Sequence, residues 1–310
     1  MEGVDTALVM ARADKLFFYS PYNFLRSVPE GGQQQLFGTG LASGYGEGPQ
    51  QSVYDLEGIQ FLYTFLSWDT EFFGAPVYKL FTVLFPAKVS LALLIASMHR
   101  FQQYLRKLGG AYLFVELPVE DSTLTQALGQ AGWRLVETRL NFYHDAVAAF
   151  THRRYPVRLA RTEEAAHIGS IAAAVRNAYD RFHADSWFGN EKADAFLHRY
   201  AAAAVQGYCS AVLVPHEPGL PIDAFLAISD SQAHADSLGF CSSRIALTAV
   251  GPANRGWHLK LVAETLQRAR TMQFDYVFMT TQATNRAVFR TCEKSGFKLG
   301  GTTCILAYSF

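Results

Sequence analysis

Hydrophobic positions along the chain switch repeatedly between two spacings. Leu80–Phe85 is a continuous apolar run that predicts a strand. From Ser90 to Leu108 the apolar residues recur at helical spacing and stop at Gly109-Gly110, a helix C-terminal signal. AYLFVEL, Ala111–Leu117, predicts a second strand. Thr123–Ala131 predicts a short helix closed by Gly132, and Trp133–Tyr143 a third strand. Strands alternating with helices in so short a stretch describe a small α/β unit.

A second series begins near Tyr155-Pro156-Val157. Val157–Leu159 predicts a short strand, and Thr162–Ala178 a helix with Glu163 and Glu164 in its first turn, where carboxylates suit the helix dipole. A helix over Ala193–Val205 ends at Gly207. Strands follow at Cys209–Val214, Ala224–Ser229 and Ser243–Val250. Helix Leu259–Thr271, strand Asp275–Thr280, helix Asn285–Ser295 and a closing stretch Phe297–Phe310 complete the series. The Ala-rich helical stretches IAAAV and AAAAV read as close-packing faces, and no internal repeat is legible.

The first fifty residues are less patterned. Val28–Ser52 is rich in Gly, Gln and Ser and predicts a flexible linker. Phe17, Phe18, Tyr19, Tyr22 and Phe24 form an aromatic arm before it, suited to packing on the body or on a second subunit. Three parts are therefore expected: an arm and linker over residues 1–54, a small α/β domain over 55–150, and a larger α/β domain over 151–310.

Composition narrows the function. Half of the 310 residues are hydrophobic and 17% are charged, which supports a buried core. Lys plus Arg and Asp plus Glu are 27 each, which leaves no basic footprint for nucleic acid. Cys209, Cys241, Cys292 and Cys304 have no metal-like spacing and fit a reducing compartment; with no close His or acidic ligand run, no metal is predicted. The longest apolar stretch, residues 80–98, is broken by Pro86 and Lys88, so no membrane span is expected. The N-terminal MEGVDTALVMARADK carries acid where a secretory signal is basic, and a soluble, cytoplasmic protein is expected.

Two segments carry candidate chemistry. AVGPANRGWHLK, residues 249–260, joins a strand to a helix, and Arg255-Gly256 at that helix start offers backbone N–H groups and a positive dipole end to an anion. TQATNRAVFRTCEKSGFKLGG, residues 281–301, follows a strand, opens a helix near Asn285, closes it at Gly296 and returns as a strand from Phe297. In this order the two segments resemble the acetyl-CoA half of the GNAT superfamily of N-acyltransferases. Asn285, Gly296 and Phe297 match its N..A...Y...GF signature with Val288 at the alanine position, and Arg255-Gly256 matches the start of its R/Q-x-x-G-x-G/A loop. LSWDTEFFGAP, residues 66–76, and YDRFHADSWF, residues 179–188, further resemble motifs of nucleotide-sugar amine N-acetyltransferases of the dTDP-fucosamine type.

The resemblance implies a mixed central sheet with two splayed parallel strands, here 243–250 and 275–280, preceded by a smaller α/β domain. It implies acetyl-CoA or another acyl-CoA as co-substrate and a small-molecule amine as acceptor, an amino sugar or nucleotide-linked amino sugar among the choices. Backbone groups around Leu247, Ala249 and Val250 would hold the pantetheine arm. Arg255, Gly256, Trp257, His258, Leu259 and Lys260 would hold the pyrophosphate, with Asn285, Val288 and Phe289 alongside. His258 and Lys260 depart from the small residues usual in that loop. Cys292 stands where the family has its general-acid tyrosine; acid, thiolate and plain core roles are all open to it, and Tyr308 and Tyr276 are alternative hydroxyls. His183 and Glu71 are candidate bases. Phe72, Phe73, Tyr179, Arg181, Asp185 and Trp187 are candidate acceptor contacts. A homodimer fits the resemblance. The departures keep two other readings open: a catalytically silent binding protein, and an acyltransferase that uses an acyl carrier protein or acts on a natural-product amine.

Overall fold

The structure is a computed structural model that describes residues 3–231 and 235–310. The N-terminal segment folds into α1 (Thr6–Ala11), α2 (Ala13–Leu16), α3 (Glu30–Phe37) and α4 (Thr39–Ser43). A hairpin of β1 (Gln51–Leu56) and β2 (Ile59–Phe65), helix α5 (Ser67–Phe73), β3 (Val77–Leu84), α6 (Leu91–Lys107), β4 (Tyr112–Pro118), α7 (Ser122–Gln130) and β5 (Arg134–His144) follow. Next come β6 (Val157–Leu159), α8 (Ala165–Ala174), α9 (Arg181–Ala184), α10 (Asn190–Ala203), β7 (Ala211–Pro215), β8 (Ala224–Ser231) and α11 (Ala235–Leu238). The chain closes with β9 (Ser242–Val250), α12 (Trp257–Thr271), β10 (Tyr276–Gln282), α13 (Arg286–Lys294) and β11 (Lys298–Ser309).

The chain forms two compact units, but not at the expected boundary. The first takes Met1–Thr138 with Gly301–Phe310, and the second takes Arg139–Gly300. In the first, α6 lays Leu94, Met98, Phe101 and Leu105 on strand residues such as Phe61, Leu80 and Val115. In the second, α12 buries Leu261, Val262 and Leu266 on one face of its sheet. On the other face, α8 and α10 bring Ile168, Ile171 and Ala201 against Val212, Phe225 and Ala227. A Cβ on Gly169 would come within 2.8 Å of the His198 backbone oxygen, so α8 and α10 approach too closely for any side chain there.

Both units are built to one plan. β1, β2 and β3 run antiparallel, and β3 then pairs in parallel with β4 across α6. In the second unit β7, β8 and β9 run antiparallel, and β9 pairs in parallel with β10 across α12. The parallel pairing runs from Val77/Tyr112 to Leu80/Val115 in one and from Ser242/Tyr276 to Ile245/Met279 in the other. A bulge follows at once in each, leaving Phe81 and Ala246 as the extra residue. The repeat lies in backbone register and reaches the side chains of the parallel pair, where Lys79, Leu80, Tyr112 and Phe114 stand at the positions of Arg244, Ile245, Tyr276 and Phe278.

The closing strand of each half is exchanged. β5 leaves the first unit and pairs, over Arg139–His144, with β10 of the second. β11 leaves the second unit and pairs, from Thr303/Pro118 to Ser309/Tyr112, with β4 of the first.

The segment expected to be a linker is structured. Gln33 is buried, accepts the Ser20 hydroxyl at 2.7 Å and donates to the Val28 carbonyl at 3.2 Å, so its amide substitutes for missing backbone pairing. The aromatic arm is absorbed as well: Tyr19 packs edge-on against Phe81 and Tyr22 against Phe37, all within the first unit. Among the described residues no helix is long and apolar enough to cross a membrane.

Candidate functional site

In the second unit β9 and β10 part after Ile245/Met279, although the strands continue to Val250 and Gln282. The result is a V between the two strands. Beyond the bulge, the backbone groups of Ala246–Val250 that face β10 lose their ladder partners and are left to hydrogen-bond a ligand in the gap. Leu247 and Ala249 turn their side chains into the core beside α8 and α10, and Val250 packs at the edge of the α12 core. Only their backbones are offered to the V.

β9 runs into α12 through Gly251–Gly256. Gly256 is the N-cap at φ +88°, a left-handed conformation that suits glycine, and no side chain caps the helix. The first N–H groups of an α-helix have no intrahelical partner, so residues 257–260 present an anion seat. Arg255 is exposed at its rim and makes no side-chain hydrogen bond or ion pair among the described residues. Trp257 is buried in the core and Leu259 is half-buried, so these two contribute backbone alone.

The two bulky departures do not crowd the seat. Lys260 turns back over the Trp257 ring, 4.0 Å from its centroid, and pairs with Glu217 at 3.2 Å. His258 turns toward α13, where Nδ1 lies 3.0 Å from the Thr291 hydroxyl. That hydroxyl donates to the Ala287 carbonyl, so the ring N–H donates to it and Nε2 is left as a buried acceptor without a partner. Burial pushes the His258 pKa down to about 4. The unfolded chain, with an ordinary imidazole near 6.5, then binds more protons between about pH 4 and 6.5. Stability should therefore fall as pH drops through that window, and His258→Gln should flatten the fall; parallel melting curves against pH would remove this role.

Asn285 caps α13, its side chain accepting from the Val288 N–H at 3.2 Å. Val288 packs beside the core and Phe289 meets Phe142 edge-on at 5.6 Å, which makes both packing residues in this structure. Cys292 is fully buried in the same core, and burial raises its thiol to about 12. A thiol so placed packs in the core, which counts against the acid and thiolate roles expected for it. Cys292→Ala should lower stability by about 1–2 kcal/mol and leave turnover per folded molecule unchanged; a fall in kcat with unchanged melting would restore a chemical role.

The loop before α10 starts at the mouth of the V, where the Asn177 side-chain N–H donates to the Gln282 amide oxygen at 2.6 Å. Several of its candidate residues are turned into the loop's own packing. His183 faces Asp180 with Nδ1 at 2.8 Å and Asp194 with Nε2 at 3.0 Å, its side chain almost wholly buried. Both ring nitrogens are thus engaged by carboxylates of the loop and α10, which counts against the base role expected for His183. Arg181 is buried with its guanidinium 4.4 Å over the Phe182 ring. Asp185 is buried and accepts from the Trp187 N–H at 3.1 Å. Trp187 is half-buried against Phe188, and Tyr179 remains exposed. Glu71, Phe72, Phe73 and Tyr308 belong to the first unit. Glu71 is exposed on α5, Phe72 packs on Trp68 and Phe73, and Tyr308 packs on Trp133 and Phe310.

The first unit has a V of its own between β3 and β4, and it is filled. Asp121 precedes α7 as Asn285 precedes α13. Its carboxylate takes an ion pair from Arg12 and the Tyr19 hydroxyl at 2.7 Å, while the Thr82 hydroxyl donates to Tyr19 at 2.9 Å. Arg12 also lies 4.2 Å over the Phe85 ring. Thr82 and Phe85 stand on and just beyond the splayed end of β3, so the N-terminal helices bridge both arms of this V. Burial, then the Asp121 charge, raises the Tyr19 pKa well above the ordinary phenol value. The helix start is closed too, since the Ser90 hydroxyl caps α6 at the Leu93 N–H.

Splayed parallel strands, a bulge on the first of them and an uncapped helix start after it are the setting for comparison with known structures. A GCN5-related N-acetyltransferase from Sphaerobacter thermophilus matches with TM-score 0.55 and 10% identity, over 99% of this chain and 94% of that one. A tandem GNAT protein from the clavulanic acid biosynthesis pathway matches with TM-score 0.52 and 13% identity, over 100% and 97% of the two chains. A GCN5-related N-acetyltransferase from Kribbella flavida matches with TM-score 0.51 and 12% identity, over 99% and 96%. The chain has a GNAT fold. No family model matches it, and no curated protein does either. Identities this low carry the fold and not the acceptor.

Among the described residues no group of three or more His, Cys, Asp and Glu gathers to hold a metal ion. A surface cavity of about 300 Å³ lies elsewhere, beside β6 and α12. Its arginines Arg154, Arg158 and Arg268 are held by Glu264, Glu164 and Asp230, so it offers packing rather than an open site.

Proposed function

We propose that the chain is a tandem GNAT N-acyltransferase in which the second half alone takes the donor, an acyl-CoA, acetyl-CoA being the simplest. The observation that carries this reading is the contrast between the two Vs of one chain. In the second, β9 and β10 part after Ile245/Met279 and the helix start beside Arg255 is uncapped. The first has Arg12, Tyr19 and Asp121 across its gap and a Ser90 cap on its helix. A pantetheine arm would hydrogen-bond the β9 edge, and its pyrophosphate would meet the N–H groups of 257–260.

A neutral amine would then attack the thioester carbonyl. The new N–C bond forms as the C–S bond breaks, the nitrogen loses a proton and the departing thiolate gains one. β9 N–H groups near the bulge would hold the developing oxyanion. With Cys292 and His183 locked in packing, both proton transfers run through water.

Calorimetric titration with acetyl-CoA tests the reading. One saturable site per chain is expected. Two sites would open the first half again, and none would leave a silent GNAT-like protein or one served by an acyl carrier protein. An amino-sugar or nucleotide-sugar acceptor rests on the motifs at 66–76 and 179–188. Burial of Arg181 and Asp185 weakens it, because two of its anchoring groups are spent inside the loop.

A further inference from the structure

Val277 and Met279 of β10, and Ile245 of β9, face the α12 core. By strand alternation Arg244, Phe278 and Thr280 face the other way, toward the side where the 176–188 loop is tied to Gln282. On that face Arg244 is half-buried and lies 5.5 Å over the Phe278 ring, with a long hydrogen bond of 3.4 Å to the Thr280 hydroxyl. Thr280 in turn donates to the Asn141 amide oxygen at 2.8 Å. No carboxylate answers Arg244 among the described residues. By contrast, Arg12, Arg154, Arg158, Arg176 and Arg268 each hold one. A guanidinium kept partly out of water, over an aromatic ring and without an anion among the described residues, is poised for an anionic ligand.

Its position says which ligand. Arg244 stands two residues before Ala246, the bulge at the point of the V, a separation of about 7 Å along the strand. That distance is spanned by an amine and an anionic group on one small molecule. We propose that Arg244 binds the acceptor by a carboxylate or phosphate set close to its reacting amine, with Thr280 and Asn141 fixing the guanidinium. The acceptor class is therefore an acidic amine, an amino acid or an aminoalkyl phosphate, and not an amine without an anionic group. This rests on the second V being the donor site.

Matched acceptors test it: amino acids against their amides, and phosphoethanolamine against ethanolamine, with acetyl-CoA as donor. The acids should be preferred, and whichever pair is turned over separates carboxylate from phosphate. Arg244→Gln should raise KM for the acid about 10–100-fold with kcat little changed, leave acetyl-CoA affinity intact and spare the uncharged partner; Arg244→Lys should recover part of the loss. Equal use of acidic and uncharged partners, or an equal effect of the variant on both, would overturn the proposal while the acyltransferase reading stood. Should acetyl-CoA not bind, that reading fails, and Arg244 is judged separately by saturation-transfer NMR. There N-acetyl amino acids should bind the wild type, while their amides and the Arg244→Gln protein should give no signal; no difference between acid and amide would dismiss the site.

Discussion

Arg12→Ala should be among the most destabilising single changes in the chain. The Arg12–Asp121 pair is buried on both sides, and the same carboxylate carries the Tyr19 hydroxyl. Removing the cation leaves an uncompensated charge in the core, a loss of about 3–5 kcal/mol. For units of this size that corresponds to a fall in melting temperature of roughly 6–20 °C, readable by scanning calorimetry. Arg12→Met combined with Asp121→Leu removes both charges together and should recover most of the loss. A single variant that melts with the wild type would show that the pair does not hold the N-terminal helices across the first V.

The second large effect is on donor binding. Arg255 is the cation at the rim of the anion seat and is engaged by no other side chain described. Arg255→Glu replaces an attraction to the pyrophosphate by a repulsion at the same point. An interaction of about 1.5–3 kcal/mol is at stake, or roughly 10–100-fold in dissociation constant. Because the side chain is exposed, melting should move little. Titration of wild type and variant with CoA separates the two outcomes. An unchanged affinity with intact folding would move the pyrophosphate away from residues 255–260.

Much of the second unit is legible in the sequence because its signals are local. Predicted strands at Val157–Leu159, Ser243–Val250 and Asp275–Thr280 lie within two residues of the observed ones. Gly256 opening α12 follows from composition at a helix end, as does Ser90 capping α6 in the first unit. The N-terminal segment is not legible in this way, because its Gln and Gly content suggests a linker, whereas Gln33 and Ser20 pair with each other inside the fold. Long-range pairing is invisible for the same reason: nothing near residue 12 announces a partner at 121. His183 and Cys292 mislead in opposite ways. One has carboxylates from two elements on its ring, and the other is at the right sequence spacing but on the buried side of α13. Arg244 is absent from the sequence-based site, although a lone Arg between Ser243 and Ile245 in an otherwise uncharged strand is a readable signal.

The exchanged strands also set an order for synthesis on the ribosome. Domains ordinarily fold as units, the N-terminal one first, while the rest of the chain is still being made. Here the first unit cannot complete its sheet until residues 301–310 emerge, because they supply the partner of β4. Until then β4 waits with an unpaired apolar edge, the kind of surface that recruits chaperones or aggregates. The second unit has its borrowed strand, Arg139–His144, in hand before its own strands are translated. The later-made unit is thus the one free to finish first.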